Sequence, residues 1–313
     1  MKYEISGITV KSNIDFPQLN SVNNREADIS FHLENKELDE NRVFDFIKNY
    51  KLSNGRVWLS IEKYKSSYIF RFPNIADFLL SGEKQMIFCN PNSKISKNTV
   101  RHLFINQIVP LYLASKGHFV IHSSAVSING KGVVFLGKSR AGKSTLASIF
   151  CKNGYKLITD DFLLTKYKNG LHAVPSYPAI RLSNQTIDFL FNKIPKVFTN
   201  HDFTDKKWLK ADGKIIKYSN KVVPIQRIYI LASNSKKLDK SPVTIKKCSP
   251  KDSLADLLHN CFFIDSSDSK LIESNFNYCA LTLKSDIIRK LTYKKEFSVL
   301  SEVKDKILKD IRN

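Results

Sequence analysis

Gly137-Lys-Ser-Arg-Ala-Gly-Lys-Ser144 satisfies the phosphate-loop pattern G-x-x-x-x-G-K-[ST] at every fixed position. It lies between the apolar run Val133-Val-Phe-Leu136, which reads as a buried strand, and Thr145-Leu-Ala-Ser-Ile-Phe150, which begins a helix. The glycines let the backbone turn tightly so that its N–H groups point inward, and such a nest at a helix start holds a polyphosphate. The loop residues Gly137, Lys138, Ser139, Arg140, Ala141, Gly142, Lys143 and Ser144, with Thr145 behind them, are therefore the candidate nucleotide-binding segment. Lys143 reaches the β- and γ-phosphates and the Ser144 hydroxyl ligates the bridging Mg²⁺. Lys138 and Arg140 sit at variable positions and add positive potential. A glycine turn before an ordinary helix is the alternative, and a chance match is expected about once in a hundred chains of this length.

The rest of the chain bounds the reading. Its 313 residues allow one large domain or two ordinary ones, and a 42% hydrophobic content suits a globular core. A formal charge of +21 invites an acidic macromolecular partner. The basic residues are scattered, however, in pairs such as Lys206-Lys207, Lys246-Lys247 and Lys294-Lys295, and the excess falls almost wholly after Ile95. A solvated lysine-rich surface is the simpler account, with a nucleic-acid partner left open. Five unpaired cysteines, Cys89, Cys151, Cys248, Cys261 and Cys279, point to a reduced, cytoplasmic setting in which each is a small buried group. No secretory signal opens the chain, and the most apolar stretch, Leu103 to Ala114, falls short of the roughly 20 residues that cross a bilayer. No membrane partner is expected.

Before about residue 90, Ile29-Ser-Phe-His-Leu33, Val57-Trp-Leu-Ser-Ile61 and Tyr68-Ile-Phe-Arg-Phe72 alternate with period two. They predict a small β-rich N-terminal domain over 1–95, followed by an α/β domain over 96–313. Val100, Leu103, Phe104, Ile108, Leu111 and Tyr112 recur at helical spacing and predict a joining helix bent at Pro110. His118 to Ile128 reads as one strand, turned by Asn129-Gly130 into the strand that feeds the loop. Gly154 stops the loop helix, and Tyr155-Lys-Leu-Ile-Thr159 returns as a strand delivering Asp160-Asp161. Asn169-Gly170 turns a further hairpin, and the last third carries a strand at Ile225 to Leu231 and helices at Ser253 to His259 and Val303 to Ile311.

Beside a bound triphosphate, acidic residues ending a neighbouring strand are the first place to seek a metal ligand and a base for the accepting hydroxyl. Asp160 and Asp161 meet that description, one carboxylate serving the metal and the other facing the acceptor; a turn or helix cap is the alternative. His122 is placed to hydrogen-bond an aspartate or to touch phosphate, or is simply packed. Arg181 carries the planar charged head suited to phosphate or substrate, and Lys206 and Lys207 are weaker candidates. No N-K-x-D element follows the loop, which favours ATP over GTP; H-E-x-x-H, paired-cysteine and G-x-S-x-G motifs are absent.

Ile121 to Leu146, followed by Gly154-Tyr-Lys-Leu-Ile-Thr-Asp-Asp161, resembles the HPr kinase/phosphorylase superfamily and its HPr-kinase-like relatives. Pro175 to Leu182 and Val223 to Leu231 look like those relatives associated with modification of ribosomally made peptides. The resemblance implies a phosphoenolpyruvate-carboxykinase-like P-loop kinase fold, with Asp160 taking the proton of a serine hydroxyl, Asp161 near the metal and His122 supporting the Asp160 carboxylate. No counterpart of the E-x-R-G-x-G signature follows the aspartates, so the resemblance does not extend to phosphorylation of HPr itself or to phosphorolysis.

The leading expectation is an ATP- and Mg²⁺-dependent kinase acting on a serine hydroxyl of a peptide or protein, with the basic catalytic part drawing an acidic peptide. A small-metabolite hydroxyl kinase and a nucleotide-binding regulatory module are the alternatives. Acceptor identity, single or repeated phosphorylation, and homo-oligomer formation are left open by the sequence.

Overall fold

The computed structural model describes residues 1–34, 43–52, 54–191, 197–198, 206–232 and 242–312. They form a mixed α/β structure organised around two large sheets. Residues 2–91 supply a nine-stranded sheet whose spatial order begins Asn20–Ser21, Lys2–Ile5, Ile8–Ser12, Ile29–Leu33 and ends Val57–Tyr64, Asp45–Lys51. The alternating runs read from the sequence are strands of this sheet, and their buried residues, Ile29, Phe31, Leu59, Ile61 and Phe70, face one core.

A second sheet of ten strands is centred on Lys131–Leu136, the strand that feeds the loop. That strand pairs antiparallel with Ser123–Ile128 and parallel with Val223–Leu231. Both of its faces are covered, which is why it reads as a continuous apolar run. Val133 and Phe135 pack under the loop helix Lys143–Lys152, whereas Val134 and Leu136 face the opposite layer with Ile158, Ile230 and Leu257. The loop helix buries Leu146, Ala147, Ile149, Phe150 and Cys151, and Phe150 meets Phe135 at a ring separation of 5.8 Å. It ends as its sequence dictates. Gly154 takes φ 88° and the Tyr155 amide bonds back to the Phe150 carbonyl.

Between the sheets runs the helical stretch 97–115, buried on nearly every side. The predicted bend takes the form of one π-helical turn, Phe104–Ile108, immediately before Pro110. Proline has no N–H and its ring crowds the carbonyl four residues back, so the ladder widens there, and the Val109 amide bonds to the Phe104 carbonyl. Phe104 lies 4.3 Å from the Phe31 ring and 5.2 Å from Phe16. The same apolar cluster continues through Phe162, Tyr177, Trp208 and Ile264, so residues before and after 95 share one core.

Two expectations need correction. His118 to Ile128 is not one strand: Val120–Ile121 pairs with Leu163–Tyr167, and the chain breaks at His122 before Ser123–Ile128 joins the loop strand. At the break the His122 amide donates to the Asn260 carbonyl at 2.7 Å, because no strand neighbour is in register to receive it. Nor are all five thiols buried. Cys248 and Cys261 are half-exposed, since both lie where the chain leaves or enters the helix Pro250–Asn260 rather than inside a layer. Among the described residues no helix is long and apolar enough to cross a membrane.

Because Phe104 is fully enclosed where the two sheets share their core, Phe104→Ala is expected to cost about 3–5 kcal/mol. Urea unfolding followed by circular dichroism and by tryptophan fluorescence should shift together. Two separated transitions would show that the core is divided.

Candidate functional site

The loop has the shape its glycines predict. Gly137 adopts φ 149°, and a Cβ there would stand 3.2 Å from the Leu231 carbonyl and 3.4 Å from the Ala141 Cβ. Gly142 adopts φ 103° and caps the helix from the left-handed region, with the Tyr293 hydroxyl only 2.5 Å from where a Cβ would be. No side chain caps the helix and no acid occupies its first turn, so its leading amides and positive dipole end are left for an anion. Lys143 is buried and folds back over the loop, donating to the carbonyls of Gly137 at 2.7 Å and Lys138 at 3.2 Å. Burial lowers its ammonium to about 8, with Asp160 and Asp161 pulling the other way. Ser144 and Thr145 are half-buried on the first helical turn, while Lys138, Ser139 and Arg140 are exposed at the loop tip.

Asp160 and Asp161 follow the strand Lys156–Thr159, which lies beside Ser123–Ile128 and hence one strand away from the loop strand. Asp160 is fully enclosed. Ser124 Oγ donates to its Oδ1 at 2.5 Å and the Arg181 amide to its Oδ2 at 2.9 Å. Burial and the adjacent Asp161 charge nevertheless push its carboxyl above the ordinary range. At Asp161 burial acts in the same direction but is outweighed by Arg181 and Lys206, with help from His122 and Lys143, so this carboxyl is held below the ordinary range. Asp161 takes φ 71°, a strained backbone for a non-glycine residue. The turn separates the two side chains into different surroundings.

Arg181, on the strand Ala179–Leu182, touches both acids: its amide holds Asp160, and its Nε lies 3.4 Å from the Asp161 Oδ2. The sequence missed what holds Arg181. Its Nη1 donates to the His102 ring at 2.8 Å; His102 meets the Asn106 side chain at 2.9 Å; the Tyr177 hydroxyl donates to the Asn106 Oδ1 at 2.9 Å. Tyr177 then reaches Asp161 at 3.4 Å, closing a buried ring of polar groups. The one available signal was Asn106 itself, a polar residue inside the apolar stretch before Pro110. Asn106 lies within the π-turn.

His122 stands at the strand break, half-buried, beside Asp161. Burial and then the Lys143 charge lower its pKa to about 4, which keeps the imidazole neutral at physiological pH. Ser124 and the Arg181 amide each donate to one oxygen of Asp160, and the charges that act on His122 are those of Lys143, Asp161 and Arg181. Lys143, His122, Asp160, Asp161 and Arg181 are thus gathered in one place, and the Lys206 charge acts on them as well. Among the described residues no three His, Cys, Asp or Glu side chains cluster to hold a metal by themselves.

No family model matches the chain, and no curated protein matches it. Among solved structures it is similar to the HPr(Ser) kinase/phosphatase from Coxiella burnetii, with 15% identity over 53% of this chain and 92% of that one, and a TM-score of 0.26. At that level the likeness carries no functional weight.

Gly142→Ala combines a disfavoured φ with a clash on the Tyr293 hydroxyl, and is expected to cost about 1–3 kcal/mol of stability and to weaken ATP binding measured by calorimetry. Adding Tyr293→Phe should restore part of the loss. Unchanged affinity in the single variant would remove the loop from the site. His122 gives a pH signature. Its native pKa lies below the ordinary value, so between about pH 6.5 and 4 the unfolded chain binds a proton the native chain does not, and stability falls on acidification. His122→Asn should escape that loss, the difference reaching about 2 kcal/mol at pH 5 in thermal unfolding. Parallel curves from pH 7 to 5 would refute it.

Proposed function

We propose that this chain is an ATP- and Mg²⁺-dependent kinase that transfers the γ-phosphoryl group to a hydroxyl, with serine of a peptide or protein as the leading acceptor. The observation that carries the reading is a pair of adjacent buried carboxyls beside a glycine loop that are held differently, Asp160 by the neutral donors Ser124 Oγ and the Arg181 amide and Asp161 by the Arg181 guanidinium; such differing environments suit one member to take a proton and the other to stay charged. Asp160, raised, is the base. Asp161, lowered, stays anionic and with Ser144 would hold Mg²⁺, whose part is to neutralise charge on the phosphates.

The residues fit these groups. Cβ atoms at Gly137 and Gly142 would fill the cradle, and the bare helix start offers amides to phosphate. Lys143 has only carbonyl partners in the loop and is poised to exchange them for phosphate oxygens, which would restore its full charge. In the transfer step the acceptor oxygen forms a bond to the γ-phosphorus while the bond to the β,γ-bridging oxygen breaks. ADP departs with that electron pair, and the hydroxyl proton passes to Asp160. Arg181 positions both acids, and neutral His122 stands beside Asp161. This reading groups the chain with HPr-kinase-like phosphotransferases of the phosphoenolpyruvate-carboxykinase-like fold, on the motifs quoted above, with a cytoplasmic setting and a β-rich N-terminal domain over 1–95 that shares its core with the rest as parts of the same proposal.

Asp160→Asn keeps the volume of the side chain and its contact with Ser124, so the fold should survive. Transfer of radiolabelled phosphate from ATP to serine-containing peptides should fall by about 10²–10⁴-fold with ATP affinity retained, whereas Lys143→Ala should weaken both. Retained transfer in the Asp160 variant would overturn the role of base.

A further inference from the structure

Two cavities flank the loop. The larger, about 460 Å³, touches Lys138 and Ser139 at the loop tip and His122 beside the acid pair. The smaller, about 180 Å³, lies on the other flank against Arg140, Gly142, Thr145 and Phe297; neither acid lines either cavity, and of the two only the larger touches His122. A phosphoryl donor must direct its reactive end toward the carboxylate that receives the proton. The nucleoside therefore belongs to the smaller side and the acceptor to the larger.

We propose that the larger cavity is the acceptor site and that it selects a hydroxyl carried next to an aromatic or branched aliphatic group; this rests on the kinase reading. Its volume falls in the range of about 300–1,000 Å³ typical of small-ligand sites, far more than a serine hydroxymethyl needs. Most of the space is for what flanks the hydroxyl. Trp58 and Leu59 from the first sheet, Leu111 from the central helix and Phe262 beyond the helix Pro250–Asn260 form apolar walls. Gln107 and Asn260 supply polar anchors, no carboxylate lines the cavity among the described residues, and Lys138 at the loop is its one lysine. Among the described lining residues the one lysine is Lys138, beside the imidazoles of His122 and His259, so an acidic flank meets little fixed positive charge. An apolar flank is sheltered on three sides.

The cavity is built in advance of any ligand. The Tyr50 hydroxyl donates to the Phe263 carbonyl, Lys63 pairs with buried Asp265 at 2.7 Å, and the Phe262 amide bonds to the Val120 carbonyl at 2.8 Å. These links tie the first sheet to the segment carrying Phe262, so the walls come from both halves of the chain. Preorganisation of this kind reduces the ordering cost of binding.

The test uses the full chain with radiolabelled ATP and two kinds of acceptor: a peptide library with central serine and varied neighbours, and the free amino alcohols phenylalaninol and serinol. Phe, Tyr, Trp, Leu or Ile beside serine, or phenylalaninol over serinol, should be preferred about tenfold. Preference in the peptides assigns the apolar group to a peptide, and preference in the alcohols assigns it to a small molecule. Trp58→Ala should raise KM for the preferred acceptor about tenfold and leave ATP affinity unchanged. An independent readout avoids reliance on that variant: the preferred acceptor should quench wild-type fluorescence, and Trp58→Phe should remove the response, leaving only buried Trp208. Transfer without apolar preference, or with preference for Asp and Glu, overturns the cavity assignment and leaves the kinase reading standing. ATP binding with transfer to no hydroxyl overturns both.

Discussion

Two carboxylates buried in succession are the constraint around which this structure is arranged. Neighbouring like charges in a low-dielectric interior repel by several kcal/mol, and each also loses hydration. The chain meets this cost asymmetrically. Asp160 receives two neutral donors, Ser124 Oγ and the Arg181 amide, which satisfy its oxygens without supplying a full charge. Asp161 is turned by a left-handed backbone toward the Arg181 guanidinium and the Lys206 charge. One acid is thereby left able to take a proton and the other is kept ionised. The same division that makes the pair tolerable is what the proposed roles of base and metal ligand draw on.

Arg181 could not do this if its own head were free to wander. His102 receives one of its nitrogens, Asn106 braces His102, and Tyr177 joins Asn106 back to Asp161. The ring gives His102, Asn106 and Tyr177 hydrogen-bond partners in otherwise apolar surroundings. The π-turn before Pro110 belongs to this logic. Asn106 lies within that widened turn and from there accepts the Tyr177 hydroxyl.

What could be read beforehand was what is local. The loop, the Asn129-Gly130 hairpin, the Gly154 stop and the strand ending at Asp160 all follow from short-range rules, and each has its counterpart in the structure. The gathering of Lys143, Asp160 and Asp161 was an inference from motif context, and Arg181 was singled out as a charge suited to phosphate without its tie to the acids. What stayed hidden depends on distant partners. The strand break at His122 is decided by the Asn260 carbonyl, 138 positions later. The Asn106–Tyr177 contact spans 71 positions, and Ser124 meets Asp160 across 36. No periodicity announces such pairs. Cys261, expected to be buried, lines the cavity instead, because the helix before it ends at the mouth of the site.

The central helix also explains why the N-terminal sheet should matter to chemistry it does not perform. On one side the helix gives His102 and Asn106, four residues apart, to the ring that fixes Arg181; on another it gives Gln107 and Leu111, again four apart, to the larger cavity. The first sheet clamps this helix through Phe16 and Phe31 against Phe104 and supplies Trp58 and Leu59 to the same cavity. The cavity wall at Leu111 and the ring that holds Arg181 therefore share a single packed element whose core leaves little room to shift. For the proposed transfer such support would matter to rate, since reaction depends on the acceptor oxygen lying in line with the phosphorus and a misplacement of about 1 Å can cost about 10²-fold. The sheet is thus part of the site's foundation, its aromatic core holding the helix that carries both the cavity wall and the polar ring.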